Sequence, residues 1–497
     1  MKHSPEKILE EYTNEIITKK FALSQLISLI ENSGSNDIRV QSLNVIKKIK
    51  SKETNIFKIL ENLLLSDAEK TVRATAARVL ISTFKEDAIY PLKYAFSHET
   101  SLDTLIAIIN SIGSIPHINA KHFLINELEK IELKAFKQDV EEISKKKPLV
   151  ERESRYLADI LINYYVLKDL KARFENISYT LINCKVTNLI LSNVNNHVFS
   201  WNILKSFPLS IKNLKGLKKL DLKLNKISRV PDALSYLKAL TFLDMSSNDI
   251  RTISASLKKL VNLEEFSLRR NKLRELPESV GDLKSLKRLD LRANKIKVLP
   301  HSFINLKTLE ILDLKGNKLR NFPQVITKLK KLKVLELGKN SIRELPTNVG
   351  TMPNLEVLGL EGNQISEVSD WIGKLINLRK LNLSNNNIAH IPDIFEDLEN
   401  LEELSLWNNN LNDLPLSVTS LHSLKKLNLN WNSFSSFPKS LESLESLEIV
   451  RLWGNAIKRL PNSVANMPSL RILDLNFNKL EKIPNALRNK KNLTIYQ

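Results

Sequence analysis

The sequence predicts an α/β solenoid with a parallel β-sheet on its concave face, preceded by an all-α domain. The last three-fifths of the chain repeat every 23 residues, whereas the first 180 or so show helical spacing without that period. A period of 20 to 30 residues is typical of a solenoid, because each unit must stack on its neighbours to bury its apolar face. The repeat is marked by asparagine at Asn202, Asn225, Asn248, Asn271, Asn294, Asn317, Asn340, Asn363, Asn386, Asn409, Asn432, Asn455 and Asn478.

Each repeat follows the pattern L-x-x-L-x-L-x-x-N-x-L-x-x-L-P, as in residues 286–300. The L-x-L core alternates as a strand with one buried face does. The asparagine follows at the end of the strand, where the chain turns inward. Its amide has two donors and an acceptor, which can satisfy backbone groups buried by the turn. We therefore predict a structural ladder of asparagines from Asn225 to Asn478, not a binding site.

Proline follows most of these turns and is expected at the first position of a short helical turn, because its φ is fixed. Eleven of the 17 prolines stand at this point: Pro208, Pro231, Pro277, Pro300, Pro323, Pro346, Pro392, Pro415, Pro438, Pro461 and Pro484.

This pattern resembles the leucine-rich repeat family in its 23-residue intracellular form, over roughly residues 190–497. The motif N-x-L-x-x-L-P is similar to the subgroup of the Ras-pathway leucine-rich repeat scaffold and the plant Ras-group-related proteins. The resemblance implies a horseshoe that binds proteins, with small GTPases or phosphatases as candidate partners. Val194, His197 and Phe199 replace leucines in the first repeat, which we interpret as an entry repeat.

The N-terminal part carries helical apolar spacing. It is clearest over residues 67–82, where Asp67 is the expected N-cap. Similar segments begin at Asp37 and span residues 102–112. Helix pairs about 30 to 35 residues apart resemble HEAT-type repeats, and a generic helical domain is the alternative.

Three domains are predicted from these patterns. Residues 1–148 form a HEAT-like helical domain that ends near Lys145-Lys146-Lys147-Pro148, and residues 149–193 form a helical linker and N-terminal cap of the solenoid. The amphipathic segment 150–172 is expected to cover the open first edge of the repeat sheet. Residues 194–497 form the leucine-rich repeat domain, with about 13 repeats of 23 residues.

Composition favours a cytoplasmic protein. The N-terminal sequence MKHSPEKILEEY has no apolar core of a signal peptide, and no apolar run reaches membrane-spanning length. Cys184 is the only cysteine, so the disulfides that usually close secreted proteins of this type cannot form within the chain. We expect a monomer.

The net charge is +20, of which about +3 lies on residues 1–193 and about +17 on the repeats. Acidic residues interleave with the bases, so we interpret the excess as a solvated face. The alternative is a docking stripe for an acidic protein, an anionic membrane or nucleic acid. One basic residue per repeat follows the asparagine column, at Arg229, Arg251, Arg274, Lys297, Arg320 and Arg343.

Residues between the buried leucines are expected on the concave face. This face is charged in its first half, with Arg269 and Arg292 among the bases, and aromatic near the C-terminus. Exposed tryptophan beside arginine and asparagine is typical of interaction hot spots; the alternative is that the rings only cover the sheet. The predicted partner-binding residues are Trp407, Trp431, Trp453 and Phe477 with Asn430, Arg451 and Asp474 near the C-terminus, together with Arg269 and Arg292 of the charged half.

No catalytic or cofactor motif stands out. The 11 glycines form no phosphate loop, the histidines have no metal-ligand spacing, and Cys184 is expected to be a buried structural thiol. We therefore predict no enzyme activity, no cofactor and no metal. The predicted function is a protein–protein interaction scaffold or adaptor in intracellular signalling. The alternative is binding of nucleic acid or an anionic membrane surface through the basic repeats.

Overall fold

The computed structural model describes residues 4–174, 176–192 and 204–497. The chain divides into two compact units. One comprises Met1–Ile190 with Pro208–Leu217, and the other comprises Leu191–Phe207 with Lys218–Gln497. The first is mainly helical and the second is built on parallel strands, so the predicted fold class is confirmed. The predicted entry-repeat residues Val194, His197, Phe199 and Asn202 lie outside the described residues, as does His3.

The first unit contains ten α-helices among its described residues, followed by an antiparallel hairpin of strands β1 (Ser178–Ile182) and β2 (Lys185–Ile190). Short 3-10 helices span Lys85–Ala88, Leu149–Glu151 and Leu209–Asn213. The helices are α1 (Pro5–Thr13), α2 (Lys19–Asn32), α3 (Asn36–Ile49), α4 (Thr54–Ser66), α5 (Lys70–Phe84), α6 (Ile89–His98), α7 (Leu102–Gly113), α8 (Ile118–Glu129), α9 (Lys134–Lys146) and α10 (Ser154–Arg173).

These helices form two layers. Helices α3, α5, α7 and α10 pack in succession in one layer, and α4, α6 and α8 pack in the other. The core between them is aliphatic, with Leu43, Leu80 and Ile109 fully buried. The helices predicted at residues 37, 67–82, 102–112 and 150–172 correspond to α3, α5, α7 and α10.

The predicted capping role of Asp67 is wrong. Asp67 is the C-cap of α4, and Glu69 directly precedes α5. The Asp67 carboxylate accepts the Glu69 N–H at 2.9 Å and also binds the guanidinium of Arg39 on α3. The Asp67 side chain therefore links α3 to the segment between α4 and α5, through the half-buried Arg39.

The same arrangement recurs one helix pair later, around Arg73 of α5. Its Nε and Nη2 donate to the two carboxylate oxygens of Glu99, each at 2.8 Å, and its Nη1 donates to the Asp67 carbonyl at 2.8 Å. Arg39 and Arg73 are both the fourth residue of their helices. The repeated position gives the helical unit an internal periodicity based on buried ion pairs.

Helix α10 packs on the hairpin of its own unit. The Asn163 Oδ1 accepts the Val186 N–H of β2 at 3.0 Å. The apolar residues predicted for this helix are buried: Leu157, Ile160, Leu161, Tyr164 and Leu167.

The second unit consists of short parallel strands, one per repeat, paired residue for residue with the next repeat. The middle residue is buried in the strands from Lys219–Asp221 to Ile472–Asp474, as Leu289 is. Strands β4 (Arg229–Val230) and β6 (Thr252–Ile253) form a separate pair. The main strands are β3 (Lys219–Asp221), β5 (Phe242–Asp244), β7 (Glu265–Ser267), β8 (Arg288–Asp290), β9 (Ile311–Asp313), β10 (Val334–Glu336), β11 (Val357–Gly359), β12 (Lys380–Asn382), β13 (Glu403–Ser405), β14 (Lys426–Asn428), β15 (Ile449–Arg451), β16 (Ile472–Asp474) and β17 (Thr494–Tyr496).

The return segments form 3-10 helices, but proline is not their first residue as predicted. Pro300 precedes its 3-10 helix with an extended backbone, φ −68° and ψ 154°, and its carbonyl accepts the Phe303 N–H at 3.2 Å. The fixed φ therefore sets the entry into the turn. These helices are Asp232–Tyr236, Ala255–Lys259, Glu278–Asp282, His301–Asn305, Gln324–Lys328, Thr347–Thr351, Asp370–Lys374, Leu416–Ser420, Lys439–Ser443 and Asn462–Asn466, with a short α-helix α11 at Asn485–Arg488.

The repeated asparagine lies at the end of each strand and links two repeats. Asn317 is 3% exposed. Its Nδ2 donates to the carbonyls of Leu291, at 3.0 Å, and Leu314, at 2.9 Å, and its Oδ1 accepts the Ile296 N–H at 3.0 Å. Leu291 and Ile296 belong to the preceding repeat, so each amide side chain holds its neighbour's backbone in register. The Nδ2 bonds recur from Asn225 to Asn478.

Candidate partner-binding surface

The residue just before each ladder asparagine has a left-handed backbone, with positive φ. This conformation suits glycine and asparagine, and costs other L-residues roughly 1–2 kcal/mol. The position is occupied by Leu224, Ser247, Arg270, Ala293, Gly316, Lys339, Gly362, Asn385, Asn408, Trp431, Gly454 and Phe477.

Two aromatic residues occupy this unfavourable position near the C-terminus. Trp431 and Phe477 both have φ 53°, whereas Asn408 and Gly454 fill the same position in adjacent repeats. Trp431 is 47% exposed and Phe477 77% exposed. A strained backbone that holds a large apolar side chain in solvent points to a functional role for that side chain.

The two aromatic residues meet a third, and together we call Trp431, Trp453 and Phe477 the aromatic cluster. The ring centroids of Trp431 and Trp453 are 5.4 Å apart, and those of Trp453 and Phe477 are 5.7 Å apart, both edge to face. Gly454 makes room for the first contact, since a Cβ there would lie 3.0 Å from the Trp431 Cδ2. The rings therefore form a preformed surface across three repeats.

Trp407 stands apart from this cluster. It is 40% exposed, and within the described part of the chain its ring contacts no other aromatic ring. It shares its position in the repeat with Trp453, two strand spacings or about 10 Å away. The repeat between them has Asn430 at this position, which breaks the continuity of the rings.

The predicted polar neighbours have different roles. Asn430 is buried and its Oδ1 accepts the Trp453 N–H at 2.8 Å, so it positions the tryptophan. Asp474 Oδ1 accepts the Asn476 N–H at 3.2 Å. Arg451 is exposed, and its guanidinium has no hydrogen bond to any residue that the structure describes. An exposed cation beside aromatic rings suits a partner that presents a carboxylate.

Arg269 and Arg292 do not belong to this surface. Arg292 follows β8, seven strand spacings or about 34 Å from the repeat of Trp453. Its Nη2 donates to Asp290 at 3.0 Å, and its Nε lies 3.1 Å from an oxygen of Asp313. Arg269 is half-buried one repeat earlier. The residues predicted as one partner site therefore occupy two separate regions of the face.

The charged half of the face contains an acidic group that sequence reasoning missed. Burial, followed by repulsion from Glu361 and Asp313, raises the pKa of Glu336 to about 7. Burial is also the main cause that raises the pKa of Asp313 to about 6. The carboxylates of Glu336 and Glu361 lie over Gly359 and Gly338, where any Cβ would overlap them. Glycine at these two positions, one just after β10 and one at the end of β11, was the available signal.

Glu336→Gln is expected to remove a pH dependence of stability. The folded chain retains a proton on Glu336 that the unfolded chain releases above the ordinary pKa of 4.5, so wild-type stability falls as the pH rises from about 4.5 through about 7 and then levels off. The variant should match wild type near pH 4.5 and gain about 2 kcal/mol in unfolding free energy at pH 8, allowing for partial exposure. Urea unfolding of wild type and variant between these two pH values measures the difference in unfolding free energy. The exposed Glu265→Gln is the control, and parallel wild-type and Glu336→Gln profiles contradict the expectation.

Metal-binding groups are not assembled in the described residues. No group of three or more His, Cys, Asp or Glu side chains there is arranged to hold a metal ion. Cys184 is buried, and burial together with Asp139 raises the pKa of its thiol well above the usual range, which disfavours the reactive thiolate. Over these same residues, no helix has both the length and the apolar character needed to cross a bilayer.

Known families and structures match the repeats. The family described as leucine-rich repeat region matches residues 247–338, 324–415 and 352–489, and the family described as leucine rich repeat matches residues 187–250. The two family descriptions together span residues 187–489, and the chain is a leucine-rich repeat protein. No curated protein matches it.

The solved structures agree with this assignment. A leucine-rich repeat protein of Leptospira interrogans is 30% identical, with a TM-score of 0.52, over 60% of this chain and 88% of its own. An internalin of Listeria monocytogenes is 22% identical, with a TM-score of 0.55, over 68% and 94%, and shows the fold alone. A structure described as a TDR receptor is 28% identical, with a TM-score of 0.51, over 59% and 57%. Leucine-rich repeat proteins generally mediate protein–protein interactions, which places this chain among protein-binding repeat proteins.

Proposed function

We propose that the chain is a non-enzymatic scaffold or adaptor that binds a protein partner through the aromatic cluster and Arg451. The observation that carries this proposal is the left-handed backbone at Trp431 and Phe477. Large exposed rings do not improve solvation at this position. Glycine or asparagine would adopt the same left-handed backbone at a lower conformational cost. Rigid, exposed aromatic rings beside an arginine are typical of binding hot spots.

Our proposals for the class of partner and for the cellular location rest on resemblance and composition. The repeat motif, similar to the Ras-group proteins, favours a small GTPase or phosphatase partner in cytoplasmic signalling. We propose a HEAT-like helical unit, supported by the recurring Arg39 and Arg73 ion pairs. The division at residues 148 and 193 and the monomeric state stay predictions.

The alternative function is binding of nucleic acid or an anionic membrane surface. It is favoured by the basic residues that follow the ladder, all of which are exposed. A salt titration separates the two functions, because polyanion binding weakens steeply with salt whereas aromatic hot-spot binding does not. The residues are Arg229, Arg251, Arg274, Lys297, Arg320 and Arg343.

The test is affinity capture from cytosolic extract with a Trp431→Asn, Phe477→Asn double variant. Asparagine suits the left-handed backbone, so the variant should fold normally while it loses the rings. We expect the double variant to capture at least tenfold less partner than wild type, since each hot-spot ring contributes about 2 kcal/mol.

Leu224→Asn is the matched control. Leu224 occupies the same position of an early repeat, with φ 58° and 53% exposure. This variant should retain the partner, and circular dichroism should show native folding for both variants. Undiminished capture by the double variant would reject the aromatic cluster as the binding site.

A further inference from the structure

The helical unit contains a cleft of about 660 Å³ that the proposed repeat surface does not use. One wall is α5, where Lys70, Ala74 and Arg78 recur every four residues and share one helix face. The opposite wall is α7, through Ile106 and Asn110. The cleft thus follows the layer formed by α3, α5, α7 and α10.

The floor of the cleft is closed and apolar. Ala74 and Ile106 are each 4% exposed, and Ala107 is 5% exposed. These side chains belong to the buried core of the helical unit, so the floor of the cleft exposes little apolar surface. Its polar rim determines what it can bind.

The rim is strongly basic. Lys70, Arg78, Arg155 and Lys212 line the cleft, and Asp103 is the only acidic residue among the described lining residues. The Lys70 Nζ lies 3.5 Å from the Asp103 Oδ2, but both side chains are at least half exposed. This ion pair therefore contributes little to stability. Four cations against one carboxylate leave an excess of three positive charges around the cleft.

Two of these cations make no direct polar contact among the described residues. Arg78 and Lys212 form no hydrogen bond or ion pair with any residue in the described part of the chain. Arg155 makes only long contacts, 3.5 Å to the Asn110 carbonyl and 3.8 Å to Asp159. Burial lowers the pKa of Arg78, and the charge of the Asp103 carboxylate only partly opposes this shift. Such a group gains most from an external anion.

We propose that this cleft docks an acidic peptide segment of a protein partner, whose carboxylates pair with Arg78 and Lys212. The volume is in the range of ligand-binding clefts. The described lining includes no aromatic ring on which a nucleic-acid base could stack. The concave shape is unsuited to a flat membrane surface. Charge complementarity with a narrow, flexible chain therefore favours a peptide.

The experiment uses the full chain and a fluorescein-labelled peptide of ten glutamates, followed by fluorescence anisotropy at low and physiological salt. The test variant is Arg78→Glu with Lys212→Glu. The control variant is Lys20→Glu with Lys58→Glu, which makes the same charge change at exposed positions of α2 and α4 outside the cleft. We expect the Kd to rise at least tenfold for the test variant and less than twofold for the control.

Three results would overturn the proposal: no binding of the peptide to wild type, equal losses in the two variants, or tighter, cleft-dependent binding of a ten-residue oligothymidylate. The third result would make the cleft a nucleic-acid site. Arg78→Ala with Lys212→Ala repeats the test without new acidic groups, and circular dichroism checks the folding of each variant. Failure here leaves the repeat-surface proposal untouched, because its own test alters the other unit.

Discussion

Asn317→Ala is expected to lower the free energy of unfolding by about 3 kcal/mol. The substitution leaves the buried Ile296 N–H without its acceptor and removes one of two amide donors from each of two carbonyls. The Leu291 carbonyl keeps Asn294 and the Leu314 carbonyl keeps Asn340, so neither is fully orphaned. The unpaired N–H accounts for most of the cost.

Guanidinium unfolding with hydrogen exchange at the Ile296 amide measures this effect. Stacked repeats can unfold in parts, so local exchange is needed beside the global transition. Asn321→Ala is the control, because Asn321 is exposed in the same repeat. It should change stability by less than about 0.5 kcal/mol. Equal effects of the two substitutions would show that the ladder contributes no more than a surface amide.

Arg73→Met is expected to destabilise the helical unit by about 3–5 kcal/mol. The Glu99 side chain is 4% exposed and would lose both of its guanidinium bonds while still charged. Thermal unfolding measures the loss. Adding Glu99→Leu should restore part of it, because the uncompensated charge is then removed as well. A double variant as unstable as the single one would mean that lost packing, not the buried charge, sets the cost.

The pH profile gives a second readout of the Arg73 pair. Burial is the largest single influence and opposes ionisation of Glu99. The hydrogen bonds and charge of Arg73, together with backbone hydrogen bonds from Ser101 and Thr100, outweigh burial and lower the pKa of Glu99. The pair therefore stabilises wild type above the ordinary pKa of 4.5, and this contribution is lost as the pH falls through the folded pKa. In Arg73→Met the buried carboxylate favours protonation, so acid should now stabilise the unit.

The repeat fold could be predicted because its determinants recur in the sequence. Leu289, Leu291 and Asn294 each specify their own environment through a local spacing that is copied in every unit. The helical unit was predictable only in outline. The role of Asp67 depends on Arg39, 28 residues away, and no local pattern reveals that contact.

The surface was predictable in position but not in detail. The spacing placed Trp431, Trp453 and Phe477 in consecutive repeats, and they do meet. It could not show that Asn430 is turned inward to hold the Trp453 backbone, or that Trp407 stands apart. The cleft in the helical unit depends on side chains from five separated segments, which a single sequence does not bring together.

The asparagine ladder also makes the boundaries between repeats interchangeable. Each amide contacts the preceding repeat in the same way, so a recombination event that duplicates or deletes one whole unit recreates an equivalent boundary. Such an event between the charged region and the aromatic cluster moves them closer together or further apart by one strand spacing, about 4.8 Å. The separation between these two regions can thus change in evolution by fixed increments, without any redesign of the contacts that hold the array together.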